Sequence, residues 1–185
     1  MLEGVTKFFT VAVILSLIFA HNQAPAQARP SGDILFEVIH NSWDVERDET
    51  LVYLRVYSNG IAEAHPMRKV DFRNIELKQK QLSGEELTSL RKMLTDPATV
   101  GLEPKYSRNW GNKDFGYKFD ISFSMNGEKK SLELDNFQPF LARKQGKPYP
   151  KQLEKLGRSI WKLRLEITGE PLEKDWLKGC ADLGY

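Results

Sequence analysis

YKFDISFSMNGEKKSLELD, residues 117–135, carries the plainest folding instruction in the chain. Tyr117, Phe119, Ile121, Phe123 and Met125 alternate with Lys118, Asp120, Ser122 and Ser124, the period-2 mark of a half-buried strand. Asn126-Gly127 is the dipeptide that best supplies two positive-φ residues to a two-residue hairpin turn. That loop length sets Phe119 opposite Leu134 and Ile121 opposite Leu132, and sends Ser131, Glu133 and Asp135 to water. Slipping the register by one residue would bury Ser131 and Glu133, so the pattern specifies one pairing.

Working outward, Asp33–His40 reads as a first strand with Ile34, Phe36 and Val38 on one face, followed by a polar loop, Asn41–Thr50, around Trp43. Leu51–Ser58 reads as a second strand turning at Asn59-Gly60 into Ile61–His65. A two-residue loop there would oppose Val56 to Glu63. A three-residue loop with Gly60 in the left-handed region instead pairs Val56 with Ala62, Leu54 with Ala64 and Arg55 with Glu63. Tyr53, Arg55, Tyr57, Glu63 and His65 then share the outer face. Val70–Lys80 predicts a further strand, with a bulge at Arg73-Asn74.

Two helices are signalled. Ser83 and Glu86 form a capping box, Leu82 and Leu87 a hydrophobic staple, and Leu87, Leu90 and Leu94 a buried stripe that ends at Asp96-Pro97. The second helix starts near Pro150, read as its first helical residue, and carries Leu153, Leu156, Ile160, Leu163 and Ile167 to a stop at Thr168-Gly169. The stretches 101–116 and 136–149 read as loops, the latter bearing Arg143, Lys144 and Lys147. The tail, 170–185, is read as a short turn docking Trp176.

The expected fold is α+β: an antiparallel sheet of about six strands with two helices packed on one face. Asn59 and Asn126 are 67 residues apart, as are Ser83 and Pro150, so two hairpin–helix units and plain coincidence both fit.

Lys7, the apolar run from Phe8 to Ala20 and Ala24-Pro25-Ala26-Gln27-Ala28 have the layout of a secretory signal peptide cut after Ala28. The run is shorter than the roughly 20 apolar residues of a bilayer-spanning helix. The expectation is therefore an exported protein, periplasmic or secreted. Its mature form, residues 29–185, is a single domain with no membrane span. The excess of 27 Lys and Arg over 25 Asp and Glu is too small and too interspersed to suggest a nucleic-acid partner. Cys180 is the single cysteine, so no intramolecular disulfide is available.

Val52-Tyr53-Leu54-Arg55-Val56-Tyr57 before Asn59-Gly60, the capped helix, Phe119-Asp120-Ile121 before Asn126-Gly127-Glu128-Lys129-Lys130 and the last amphipathic helix together span most of residues 33–167. This order of parts resembles small exported bacterial domains of uncharacterised function. The resemblance implies no catalytic residues.

Phosphate-loop, paired-cysteine and GxSxG patterns are absent from the sequence. Ser89-Leu90-Arg91-Lys92 and Ser159-Ile160-Trp161-Lys162 match SxxK, but in mid-helix and without the companion motifs of that chemistry. His40 and His65 read as surface or strand-end histidines, and no metal or cofactor is expected. Asp114, Asp120, Glu133 and Asp135 read as cross-strand charge pairs with Lys118, Lys129 and Lys130, or as an acid/base pair if two of them converge. The best candidate site is the loop Tyr106–Phe115. There Tyr106, Trp110 and Phe115 offer aromatic contact area beside the hydrogen-bond donors Arg108 and Lys113. The alternative is that Trp110 folds back to cap the core. The functional expectation is a non-enzymatic binding module for a protein or envelope ligand. Its rivals are an envelope hydrolase using the hairpin carboxylates and an inhibitor that presents its loops to an enzyme.

Overall fold

The computed structural model describes residues 31–44, 48–66, 77–108, 115–125 and 127–170, with the backbone alone at positions 44, 115 and 125. Among these residues seven strands form one sheet: β1 (Ile34–Asp44), β2 (Asp48–Tyr57), β3 (Ile61–Ala64), β4 (Lys78–Gln81), β5 (Lys105–Ser107), β6 (Phe115–Met125) and β7 (Glu128–Asp135). The helices are α1 (Gly84–Thr95), α2 (Pro97–Val100), α3 (Pro139–Lys144) and α4 (Lys151–Thr168). The sheet order is β4-β3-β2-β1-β6-β7-β5, antiparallel throughout except for the parallel pair β5–β7.

The central hairpin has the register its alternation dictates: Phe119 opposes Leu134, Ile121 opposes Leu132, and Met125 and Glu128 close the two-residue turn. The other edge of β6 pairs with β1, setting Phe36 against Phe123, Val38 against Ile121 and His40 against Phe119. The first hairpin has the three-residue turn, with Arg55 opposite Glu63, Val56 opposite Ala62 and Gly60 at φ +87°. Ser83 and Glu86 complete their reciprocal cap. Leu90 and Leu94 of α1 join Leu153, Leu156, Ile160 and Ile167 of α4 in one core over the inner sheet face.

Several expectations are corrected. The sheet, expected to have about six strands, has seven among the described residues, and its β5–β7 pair is parallel rather than antiparallel. Asn41–Asp44 and Asp48–Thr50 are not loop but the paired ends of β1 and β2. Trp43 sits there opposite Gly116, where an added Cβ would fall 2.3 Å from the indole, so its partner must lack a side chain. Lys105–Ser107, read as loop, forms β5, and Pro139–Lys144, also read as loop, forms α3. Pro150 is the N-cap of α4 rather than its first residue. Of the predicted strand 70–80, only its end appears, as Lys78–Gln81; residues 70–76 lie outside the described residues, as do 1–30 and 171–185 with Trp176 and Cys180.

Two β-bulges change which side chains face inward. Leu35 is an extra residue in β1, which leaves Ile34 41% exposed and opposite Tyr57 rather than beside Phe36. Tyr53 is an extra residue in β2, between Leu54 opposite Val38 and Val52 opposite Ile39. A bulge puts two successive residues against one partner and breaks the alternation. Tyr53 therefore leaves the predicted outer face and is buried with the core.

Candidate functional site

Ser107 pairs with Asp135, and Lys118 also pairs with Asp135, so β5 ends and β6 begins at the same end of the sheet. The described ends of the predicted binding loop therefore lie at that end of the sheet, with Asn136 next to Asp135 on β7. Two of its five residues have described side chains. Tyr106 is half-buried; its hydroxyl accepts from the Glu103 amide at 3.0 Å and its ring lies 6.4 Å from Tyr149. Arg108 is half-buried with its guanidinium 5.2 Å over the Tyr149 ring. It donates to the Lys147 carbonyl at 3.4 Å, while its own carbonyl accepts from Asn136 Nδ2 at 3.3 Å. Phe115 is the first residue of β6. Trp110 and Lys113 lie outside the described residues, as does Asp114.

Residues the sequence reading did not select complete this corner. Phe137 packs at a tilt against Tyr149, ring centres 4.8 Å apart, and Gly157 of α4 approaches so closely that an added Cβ would lie 2.9 Å from the Phe137 ring. Arg143 of α3 pairs at 3.2 Å with Glu154 in the first turn of α4. Burial holds the Glu154 carboxyl above its usual range, opposed by the Arg143 and Arg158 cations. Burial likewise raises the Tyr149 hydroxyl, against the pull of Arg108. Tyr149 Oη and Glu154 Oε1 are buried without a hydrogen bond, the kind of atom at which a water or a ligand group belongs.

A second polar cluster lies on the inner sheet face. His40, read as a surface histidine, is 8% exposed, with its ring 4.9 Å from Phe119, 5.9 Å from Tyr117 and 6.2 Å from Tyr53. Arg164 of α4 lies over the Tyr53 ring at 4.8 Å, donates through Nε to the His65 carbonyl at 3.2 Å and pairs with Glu170. The Tyr117 hydroxyl donates to the Phe137 carbonyl at 2.8 Å, which ties this cluster to the Arg108 corner. Signals for two members were present. His40 continues the alternation Phe36, Val38, and Arg164 falls four residues after Ile160 and three before Ile167, on the buried stripe.

Burial, reinforced by the Arg164 cation, depresses the His40 pKa to about 4. The unfolded chain then binds more protons than the folded one between about pH 6.5 and pH 4, so stability falls as pH drops through that window. A His40→Phe variant should lack a pH-dependent loss on the order of 2 kcal/mol that wild type shows between pH 7 and pH 4. Denaturant melts of both proteins across the window check this; parallel curves would remove the assignment.

The hairpin carboxylates sit in lysine pairs. Lys118 Nζ lies 3.2 Å from Asp120 and 3.5 Å from Glu133, and Lys105 pairs with Glu133 and, at 3.4 Å, with Asp135. The Lys105 hydrogen bond lowers the Glu133 pKa, the opposite of what a proton donor at neutral pH needs. Further along the same face Glu63, 4% exposed, accepts from Tyr57 Oη at 2.9 Å and from Gln79 at 2.8 Å. Among the described residues no three His, Cys, Asp or Glu side chains are grouped to hold a metal, and no helix is long and apolar enough to cross a membrane. No family model matches the chain, and no curated protein matches its sequence.

Proposed function

We propose that this protein is an exported, non-enzymatic binding module that takes a protein partner or an anionic or sugar-like envelope ligand at the Tyr106–Phe115 corner. The observation that carries the reading is Arg108: half-buried, laid over Tyr149 and tied to the Lys147 and Asn136 segments, it is a pre-positioned cation. A fixed guanidinium loses little freedom on binding and presents a planar fork of donors. The Glu154 oxygen nearby, buried without a hydrogen bond, adds unfilled polar capacity. The hydrolase alternative has less support, because Asp120, Glu133 and Asp135 each face a lysine.

The test uses protein recovered after export, whose first residue should be Arg29, screened against acidic glycans and envelope extract. Trp110→Ala and Arg108→Gln should each weaken the binding found by tenfold or more, with unfolding free energy changed by no more than about 0.5 kcal/mol in Trp110→Ala and by about 1 kcal/mol in Arg108→Gln, which loses the Tyr149 and Lys147 contacts. A stability loss of about 3–5 kcal/mol in Trp110→Ala with binding unchanged would make Trp110 a core cap instead. Full-length protein held as an integral membrane species would overturn export.

A further inference from the structure

A different surface, around the N-terminal half of α4, concentrates the charge of the molecule. Residues 143–158 contain Arg143, Lys144, Lys147, Lys151, Lys155 and Arg158 against the single acid Glu154, a net of 6 − 1 = +5. The whole chain is 27 − 25 = +2, so everything outside this segment sums to 2 − 5 = −3. Lys144, Lys147, Lys151 and Lys155 are all exposed.

The helix periodicity shows how these cations are arranged. Gln152 donates to Thr99 Oγ1 at 2.6 Å, which fixes α2 along one flank of α4. Glu154 pairs with Arg143, which brings the C-terminal end of α3 to the other. At about 100° per residue these flanks are about 200° apart, with buried Leu153 and Leu156 on the core side. Lys151, Lys155 and Arg158 fall on the outward arc between them. Each flanking helix exposes an apolar side chain, Val100 on α2 at 38% and Phe140 on α3 at 44%. The two helices that flank the row of cations thus each carry an exposed large apolar side chain.

We propose that this surface docks peripherally on a bilayer bearing anionic phospholipids, with the lysine row on the headgroups and Phe140 and Val100 entering the interface. Cations alone would suit any polyanion, including an acidic polysaccharide. The aromatic and aliphatic side chains on either side favour the membrane, where apolar burial and attraction to anionic lipid act together. The two sites share the 143–154 segment through Lys147, Tyr149 and the Arg143–Glu154 pair. The exposed Lys144, Lys151 and Lys155 and the Phe140 side chain are not contacts of Arg108, so Arg108→Gln tests the first proposal alone and the lysine and Phe140 variants test this one.

The experiment is cosedimentation of the full chain with vesicles of phosphatidylcholine alone or mixed equally with phosphatidylglycerol, every variant keeping the same N-terminus so that its contribution cancels. Binding should be stronger to the phosphatidylglycerol vesicles, and the excess should disappear in high salt. Each lysine near an anionic surface strengthens binding about fivefold. Lys144→Gln/Lys151→Gln/Lys155→Gln should therefore cost the excess about a hundredfold, and Phe140→Ser should weaken binding several-fold with the melting curve unchanged. If the triple variant does not fold, Lys151→Gln/Lys155→Gln with Phe140→Ser decides the matter. An absent phosphatidylglycerol preference, or a preference untouched by these variants, overturns the proposal. Binding to dextran sulfate without binding to vesicles overturns it in favour of an acidic polymer.

Discussion

Ile121→Ala is expected to lower the unfolding free energy by about 2–5 kcal/mol, whereas Ser122→Ala should change it by no more than about 0.5 kcal/mol. Ile121 sits in the centre of the sheet with Val38 opposite on β1 and Leu132 opposite on β7, all three no more than 2% exposed. Strands on both sides hold the backbone, so the site cannot collapse onto the space an alanine leaves, and cavity cost adds to the lost burial. Ser122 points the other way, between Glu37 and Ser131, and gives up no apolar contact. Chemical denaturation of the two variants reads the difference directly. Equal losses would mean that the inward and outward faces of β6 have been exchanged.

Elements whose signals are local were legible. The 117–135 hairpin, the Ser83 cap and the Gly60 turn are each fixed by residues within a few positions of one another, and each has the predicted geometry. The misreadings arise where a partner distant in sequence overrides the local pattern. Lys105–Ser107 is only three residues and becomes a strand because Leu134 and its neighbours offer an open edge. Asn41–Asp44 is polar, yet the length of β6 gives its backbone a ladder to continue. The bulge at Tyr53 has no sequence mark, and it turned a predicted surface tyrosine into a buried one. The candidate corner was half legible. The aromatic and basic content of 106–115 was visible, but its platform comes from Phe137, Tyr149 and Glu154, placed there by tertiary packing of α3 and α4.

Arg164→Ala should cost about 3 kcal/mol, because it removes a buried guanidinium together with its ion pair to Glu170, its bond to the His65 carbonyl and its cover of the Tyr53 ring. Arg164 is 3% exposed, and Glu170, which it pairs with, has a side chain 11% exposed. The same guanidinium satisfies the His65 carbonyl and covers the Tyr53 ring, so α4 is fastened to β2 and to the end of β3 through one side chain. Lysine is a poor replacement: a single ammonium cannot bond Glu170 and the carbonyl in the directions the planar fork does. Arg164→Met keeps much of the stem's apolar contact and separates packing from charge. A spectroscopic signature accompanies the stability change. The Arg164 cation helps hold His40 neutral, so in Arg164→Met the His40 imidazole should titrate at a higher pH than in wild type. Proton titration followed on the imidazole resonances measures that shift. An unchanged His40 together with a stability loss below about 0.5 kcal/mol would mean that Arg164 is not seated against the aromatic cluster in solution.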